Sequence, residues 1–326
     1  NILLSTIMGG MSGSSNADAA MEAKVLVPPM EKSGLSKPFS TVITAFSSII
    51  TPLIPPGIGM ILYGTLANAS IGSLFMWGLS IGAFMCVSMI GLTEIIAKKR
   101  GYTPYRRERA TAKEWKRVLK LSWPALMLPV VIIGSIRVGA VSPSEAGAVA
   151  VVYSLILGIV WGEIDGKKFI KAMRESASTI GALMLIVATA AIYSWILTKE
   201  QLPQVIAEAL LGSVSNKYVF LLVVNLFLLL VGMLMEGAAA TIILVPLLAP
   251  IAQMYGIDLA HFGMVVVFNM SIGGVSPPIG TLMFVTCGVT NCKIKDFLKE
   301  GIPYFVYMLI LLMLITYLPF SFSWLY

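Results

Sequence analysis

Oxygen-bearing residues beside helix breakers occur at two places in this chain of 326 residues. Each place combines a turn rich in small residues with a proline pair, Pro55-Pro56 or Pro277-Pro278. Proline lacks an N–H and clashes with the preceding turn, so each pair predicts a helix break that frees backbone carbonyls. Carbonyl and hydroxyl oxygens are the ligands that hard cations prefer. We therefore predict one Na⁺ at each place, held by oxygens of Ser12, Ser14, Ser15, Thr51, Leu53 and Pro55 at the first and of Gly232, Gly237, Gly273 and Ser276 at the second.

Two carboxylates, Asp18 and Glu236, lie close to the small-residue turns. Acids at membrane depth are candidate ion ligands or proton carriers. The alternative is that each caps a helix N-terminus, where a carboxylate offsets the backbone dipoles. Both interpretations stay open. The residues expected to face a bound solute are Asn16, Asp18, Pro56, Glu236, Pro278 and Thr281.

The composition requires a membrane protein of several spans. The chain is 57% hydrophobic and 12% charged, with a mean hydropathy of +0.88. A soluble domain does not have this balance. The three cysteines show no CxxC spacing and there is one histidine, which argues against a disulfide framework or a zinc site.

The two places belong to an internal repeat. The proline pairs are 277 − 55 = 222 residues apart, and Pro28/Pro250 and Gly34/Gly256 share that spacing. In each copy a turn, residues 9–16 (the first tip) or 232–238 (the second tip), is flanked by apolar limbs. We interpret both as re-entrant hairpins, because irregular backbone at membrane depth requires surrounding protein or a water-filled cavity. Interrupted segments at matching places in two halves are typical of secondary transporter binding sites.

The basic residues orient the chain. Five crossings between the hairpins, at residues 36–70, 71–97, 118–139, 145–162 and 176–198, place 20 of the 23 Lys and Arg on one face. An excess of Lys and Arg marks the cytoplasmic face. An odd number of crossings also makes the hairpins open on opposite faces, which predicts an inverted repeat.

The predicted organisation has five parts. They are a first-repeat transport core at 1–97, a cytoplasmic amphipathic arm at 98–117, second-repeat scaffold helices at 118–217, a second-repeat transport core at 218–300 and a C-terminal helix at 301–326. We expect the scaffold helices of the first repeat to be missing here, through truncation, disorder or a separate chain. Ser142, Pro143 and Glu145 have the spacing of an N-terminal capping box.

Two other classes of protein were compared with a carrier. A gated ion channel also uses helix breaks and carbonyl ligands, but around a symmetric pore with rings of like residues. Two half-sites within one chain favour a carrier. An enzyme is disfavoured because the chain has no Ser-His-Asp set and no HExxH motif.

Four segments resemble signatures of the large membrane subunit of the tripartite ATP-independent periplasmic (TRAP) transporters. They are residues 9–19 (GGMSGSSNADA), 52–59 (PLIPPGIG), 142–150 (SPSEAGAVA) and 276–280 (SPPIG). They occur in order, and the resemblance covers essentially the whole chain. It implies an all-α polytopic membrane protein of the ion transporter superfamily type, with inverted repeats, two re-entrant hairpins, two Pro-broken helices and an elevator-type mechanism.

The resemblance also implies Na⁺-coupled import of a carboxylate-bearing solute, such as a C4-dicarboxylate or sialic acid, across the bacterial inner membrane. Implied partners are a small TRAP membrane subunit, separate or fused, and a periplasmic substrate-binding protein. A gated channel, or a carrier that works without a binding protein, is the alternative. Nucleic-acid binding is not expected, since the basic residues adjoin hydrophobic segments and suit lipid headgroups.

The arm prediction can be checked by labelling. A cysteine introduced at Gly101 should react with a membrane-impermeant thiol reagent applied from the cytoplasmic side, because ten Lys and Arg lie between Lys98 and Lys120. The same cysteine should be protected from reagent applied to the periplasmic side of intact cells. Labelling from the periplasmic side alone would refute the orientation.

Overall fold

The computed structural model describes residues 1–102, 111–206 and 216–318. These residues are helical with no strand among them. Six of the described helices are long and apolar enough to cross a membrane, or seven if one bent pair, 37–53 with 58–67, counts as a single span. The predicted all-α, multi-pass membrane class is confirmed.

The chain divides into two compact units, residues 1–105 with 193–326 and residues 106–192. The larger unit contains both tips and both proline pairs. Its first half consists of α1 (Ile2–Ser12), α2 (Ser15–Lys32), α3 (Lys37–Ser47), a 3-10 turn (Thr51–Leu53), α4 (Ile58–Ala67) and α5 (Ile71–Lys99).

The second half of this unit has a similar order of elements. Helices are numbered in chain order, and three helices of the smaller unit come before this half in the sequence. The second half comprises α9 (Lys217–Leu234), α10 (Gly237–Met254), α11 (Leu259–Gly273), α12 (Thr281–Thr290) and α13 (Ile294–Tyr317). Residues 48–57 separate α3 from α4, and residues 274–280 separate α11 from α12. We call these segments the first break and the second break. Each contains one proline pair, and both Pro-Pro peptide bonds are cis.

Several backbone details correspond between the halves. Helices α2 and α10 are both 18 residues long, and each begins directly after its N-cap, Ser14 or Glu236. Gly34 and Gly256 both have a positive φ after these helices. Helices α4 and α12 are both 10 residues long and end at a left-handed asparagine, Asn68 or Asn291. An internal repeat would produce these correspondences; the inverted orientation of the two copies stays a prediction.

The two halves pack crosswise. Helix α2, from the first half, contacts α12, and α10, from the second half, contacts α4. Helix α4 also packs on α11, where a Cβ added to Gly263 would lie 2.4 Å from a ring carbon of Tyr63. Tyr63 is fully buried. Each hairpin is thus fixed partly by the helix that follows the break of the other half.

Glycines bring α9 and α11 into backbone contact. A Cβ added to Gly273 would lie 2.4 Å from the carbonyl carbon of Gly232. Helix α11 continues through Gly273 and is capped by Gly274 at φ −61°, so neither glycine uses a conformation reserved for glycine. Gly273 is therefore needed for the close approach of α9 and α11, and the unwound segment begins one residue later, at Gly274.

A polar and aromatic cluster joins the ends of three helices. Arg100, after α5, forms an ion pair with Glu300 of α13, and its guanidinium lies 5.3 Å from the ring centroid of Phe39 in α3. Tyr102 packs on the same ring at a centroid distance of 5.2 Å. The Ser36 N–H donates to the Tyr102 hydroxyl at 3.4 Å. These contacts hold the start of α3 beside the end of α5.

The smaller unit is built from α6 (Ala112–Arg137), α7 (Pro143–Val160) and most of α8 (Gly166–Lys199). Leu128, Ile132 and Ala146 form its buried cluster, and the Tyr153 hydroxyl donates to the Pro124 carbonyl at 2.7 Å. Capping boxes begin α6 and α7, and the box predicted at Ser142 and Glu145 is confirmed.

Element ends differ from the predicted limits in a few places. Of the predicted arm at 98–117, residues 103–110 lie outside the described residues, and residues 112–117 form the first turns of α6. The Thr111 capping box sets this start, because it satisfies the N–H groups of the first turn. The last helix begins at Ile294 rather than residue 301, and residues 319–326 lie outside the described part.

The close contact between α9 and α11 gives a stability prediction. Gly273→Ala should destabilise the protein by about 1–3 kcal/mol, since the new Cβ overlaps backbone that cannot rotate away. Gly274→Ala is the matched control, because its Cβ would have its nearest neighbour at 3.4 Å. Thermal unfolding in detergent measures both. Equal melting temperatures for the two variants would contradict this account.

Candidate functional site

The first tip meets the first break through a buried carboxylate. Asp18, in the first turn of α2, is 2% exposed. Its Oδ2 accepts a hydrogen bond from the hydroxyl of Thr51 at 2.8 Å, and Ser12 also hydrogen-bonds to this carboxylate. One carboxylate and two hydroxyls, from three separate elements, are therefore collected at one point. This is an oxygen-rich set suited to a hard monovalent cation.

The backbones also approach closely here. A Cβ added to Gly9 would lie 2.8 Å from the Cα of Thr51, and one added to Gly13 would lie 2.7 Å from the Pro56 carbonyl oxygen. Gly13 has φ +62°, which ends α1 in the left-handed region that favours glycine. The tip therefore needs small residues both to turn and to reach the break.

The other predicted ligands of the first place are distributed around this junction. Ser14 caps α2 by accepting from the Ala17 N–H at 3.5 Å. Ser15 and Asn16 are half-buried in the first turn of the same helix. The Leu53 carbonyl oxygen lies against α5, where a Cβ on Gly78 would be 2.4 Å from it. Pro55 is buried and Pro56 is half-buried.

The second tip meets the second break mainly through backbone. The Ile279 N–H donates to the Met233 carbonyl at 3.2 Å. Besides the contact between Gly232 and Gly273, a Cβ on Gly237 would lie 3.2 Å from the Cβ of Met270. This junction has no buried carboxylate among the described residues. The two junctions therefore differ in charge.

Hydrogen bonds occupy part of the second break. The Gly274 carbonyl accepts from the N–H groups of Leu282 and Met283 at 2.8 and 3.2 Å, which caps the start of α12. The Ser276 hydroxyl donates to the Ile272 carbonyl at 2.8 Å, and the Ser276 carbonyl accepts from the Gly280 N–H at 3.0 Å. A hydroxyl that donates its proton keeps its lone pairs, so the Ser276 oxygen can still act as a ligand.

Glu236 is exposed and caps α10. Its Oε2 accepts from the N–H groups of Ala238 and Ala239 at 2.8 and 3.1 Å. The capping interpretation is thus observed, and the exposed side leaves the carboxylate accessible to a solute. Pro278 is also exposed, and Thr281 is half-buried as the first residue of α12.

A cavity of about 480 Å³ borders the second break. Its lining includes Met233, Ser276 and Pro277, and also Lys299 and Phe305 of α13. Its walls are apolar except for the serine and the lysine, so it contains one hydroxyl and one cation.

Comparison with known proteins identifies the family. Residues 1–320 match the model of the DctM component of the tripartite ATP-independent periplasmic transporters. The chain belongs to this TRAP transporter family. The relatives named below are transporter permeases and not enzymes, which agrees with the resemblance seen in the sequence.

Several relatives span nearly the whole chain. The chain is 35% identical over 320 residues to the sialic acid TRAP transporter large permease protein SiaM of Vibrio cholerae, covering 98% of this chain and 74% of that protein. It is 34% identical over 321 residues to the C4-dicarboxylate large permease protein DctM of Pseudomonas aeruginosa, with the same coverage of each. It is 37% identical over 310 residues to the isethionate permease protein DctMQ of Oleidesulfovibrio alaskensis, covering 95% of this chain and 49% of that protein.

In this TRAP permease the sequence interpretation missed the most buried acid. Glu22 is fully buried, and its Oε2 accepts from the Ser5 hydroxyl at 2.6 Å. It follows Asp18 by four residues, so both side chains lie on one face of α2. That spacing was readable in the sequence.

Substitution of Glu236 distinguishes two roles of its carboxylate, capping of α10 and contact with the solute. Glu236→Ser keeps a capping oxygen, as Ser14 provides for α2, and should retain most solute uptake by the TRAP permease. Glu236→Ala removes the cap, which typically costs about 1 kcal/mol of stability. It should lower uptake and also lower the protection of the first α10 amides from hydrogen exchange. Amide hydrogen exchange of residues 237–241 reports the cap directly. If serine restores exchange protection but not uptake, the charge itself contacts the solute.

Proposed function

We propose that this TRAP permease imports an organic acid by Na⁺ symport, with one Na⁺ at each junction of a tip with a break. The supporting observation is that both tips and both breaks lie in one compact unit, each tip against its own break. Transporters bind coupling ions with unwound backbone and half-helix ends at matching places of two repeats.

The first ion would bind at Asp18, Thr51 and Ser12, next to the Pro56 carbonyl. Burial of a carboxylate costs free energy unless a cation or hydrogen bonds compensate it. A Na⁺ at this point neutralises Asp18 and fixes the first tip to the first break. Ser14, Ser15, Leu53 and Pro55 lie around this position as supporting oxygens.

The second ion would bind near Gly232, Gly237, Gly273 and Ser276, using carbonyls and the serine hydroxyl. Because this junction has no buried acid among the described residues, its ion carries uncompensated positive charge. That charge favours an anion beside it. The solute carboxylate would then lie between the tips, facing Asn16, Asp18, Pro56, Glu236, Pro278 and Thr281.

The solute class rests on the relatives. Their names specify sialic acid, C4-dicarboxylates and isethionate, which are all organic anions. Isethionate is a sulfonate, so a sulfonate belongs beside the carboxylates in any uptake panel. The partners proposed are a small membrane subunit and a periplasmic substrate-binding protein, and the location is the bacterial inner membrane. Motion of the larger unit as an elevator completes the proposal.

Reconstitution tests the function. The permease, with its small subunit, is placed in proteoliposomes and supplied with binding protein and a panel of radiolabelled organic acids. Uptake should saturate with solute and require both an inward Na⁺ gradient and the binding protein. A gated channel would instead pass current without solute coupling, and uptake without binding protein would indicate an independent carrier.

The charge difference between the junctions gives a mutational prediction. Asp18→Asn removes the one acid that is buried at either junction among the described residues, and it should raise the Na⁺ concentration for half-maximal uptake by more than about tenfold. Ser276→Ala removes one neutral oxygen and should raise it by about tenfold or less, the equivalent of ~1.4 kcal/mol. Ser271→Ala, whose hydroxyl donates to Val267 at 2.7 Å, is the matched control. Unchanged Na⁺ curves for Asp18→Asn would place the ions elsewhere.

A further inference from the structure

Glu22 lies in a polar cluster that is separate from the junction at Asp18. The cluster comprises Ser5 of α1, Ser47 and Thr44 of α3, and Asn1 before α1. The Ser5 hydroxyl is 2.6 Å from Glu22 Oε2 and 2.7 Å from the Ser47 hydroxyl. Ser47 donates to Asn1 Oδ1 at 3.0 Å, and the Asn1 amide donates to Thr44 at 2.7 Å.

One oxygen of Glu22 has no hydrogen-bond partner in the described part of the chain. Oε1 is buried and accepts no hydrogen bond within the described residues, and the whole side chain is 0% exposed. No Lys, Arg or His of the described part forms an ion pair with it. Burying an anionic oxygen in such surroundings costs much free energy, whereas burying the carbonyl oxygen of a neutral carboxyl group costs far less.

The hydroxyl chain is compatible with a neutral acid. A proton on Oε2 can donate to Ser5, Ser5 can donate to Ser47, and Ser47 can donate to Asn1 Oδ1. Each hydroxyl in this order donates once and accepts once, as its chemistry permits. The 2.6 Å distance between Glu22 and Ser5 is at the short end for O–H···O bonds.

Few charged groups act on Glu22. Asp18 is one helical turn away on α2 and opposes a second negative charge. Of the elements packed on α2, α1 and the 3-10 turn carry no charged side chain, and the single lysine of α3, Lys37, pairs with Glu31 at 3.7 Å. Helix α12 carries only the thiol of Cys287.

We propose that Glu22 is a proton-binding site, distinct from the two cation places, whose protonation holds the first hairpin against α3. The bound proton is the only cation small enough to neutralise Oε2 without displacing Ser5 from it. When the proton leaves, the buried Oε1 becomes anionic with no donor, and the contact between α2 and α3 weakens. Uptake by this permease should then depend on pH as well as on Na⁺.

Infrared spectroscopy of the purified permease tests the proton directly. Wild type should show the C=O stretching band of a neutral carboxylic acid at acidic pH, shifted in heavy water and lost as the pH is raised. Glu22→Gln should lack this band. An ionised Glu22 at every pH, paired with a metal ion or another cation, gives no such band and would falsify the proposal.

Uptake provides the second measurement. With the Na⁺ gradient fixed, wild-type uptake should fall by about tenfold for each pH unit above the titration of Glu22. Glu22→Gln, which keeps the shape and one donor, should change by less than about twofold over the same range. The Na⁺ dependence of uptake by Glu22→Gln should match that of wild type, whether or not Na⁺ binds at the two junctions.

Asp18→Asn is the matched control, since it changes an acid of the same helix that retains partners in Ser12 and Thr51. It should alter the Na⁺ curve and keep the infrared band at acidic pH and a pH-dependent uptake, although loss of the opposing charge at residue 18 shifts the midpoint of that dependence. If Asp18→Asn removes the band and Glu22→Gln does not, the proton belongs to Asp18 and the proposal is overturned. A pH profile that is equal in wild type and Glu22→Gln overturns it as well.

Discussion

Backbone groups that leave a helix at membrane depth need new partners, and the larger unit is arranged around that need. Lipid offers no hydrogen bonds, so an unsatisfied N–H or C=O costs several kcal/mol. The second break meets this through Met233, which accepts from Ile279, and through Gly274, whose carbonyl caps α12. The tips are therefore structural partners of the breaks as well as candidate ion ligands.

Small residues make this partnership geometrically possible. Gly9 and Gly13 let the first tip reach the first break, and Gly232 with Gly273 does the same for α9 and α11. Any side chain at these positions would separate the backbones by a fraction of an ångström or more. Glycine thus serves close packing here, with a left-handed backbone conformation required only at Gly13.

The two halves share element order but not chemistry. The first junction contains Asp18, while the second relies on backbone and Ser276. Glu22, one turn beyond Asp18, is a second buried acid, and among the described residues both buried acids lie in the first half. The similar order of elements places a helix break in each half, and individual side chains decide what charge each break can hold. This asymmetry suits the proposed binding of cations and an anion in one unit.

The sequence by itself determined the membrane class, the positions of both breaks and the family. These follow from hydropathy, from proline pairs and from local turn chemistry, which act over a few residues. It also located Asp18, Thr51 and Ser12 as separate candidates. Only the tertiary structure decided that these three meet, because their contact depends on how α1, α2 and the 3-10 turn pack. The role of Gly273 and the burial of Glu22 were decided in the same way. Neither a close backbone approach nor an unpartnered oxygen is a property of local sequence, since both arise from residues distant along the chain.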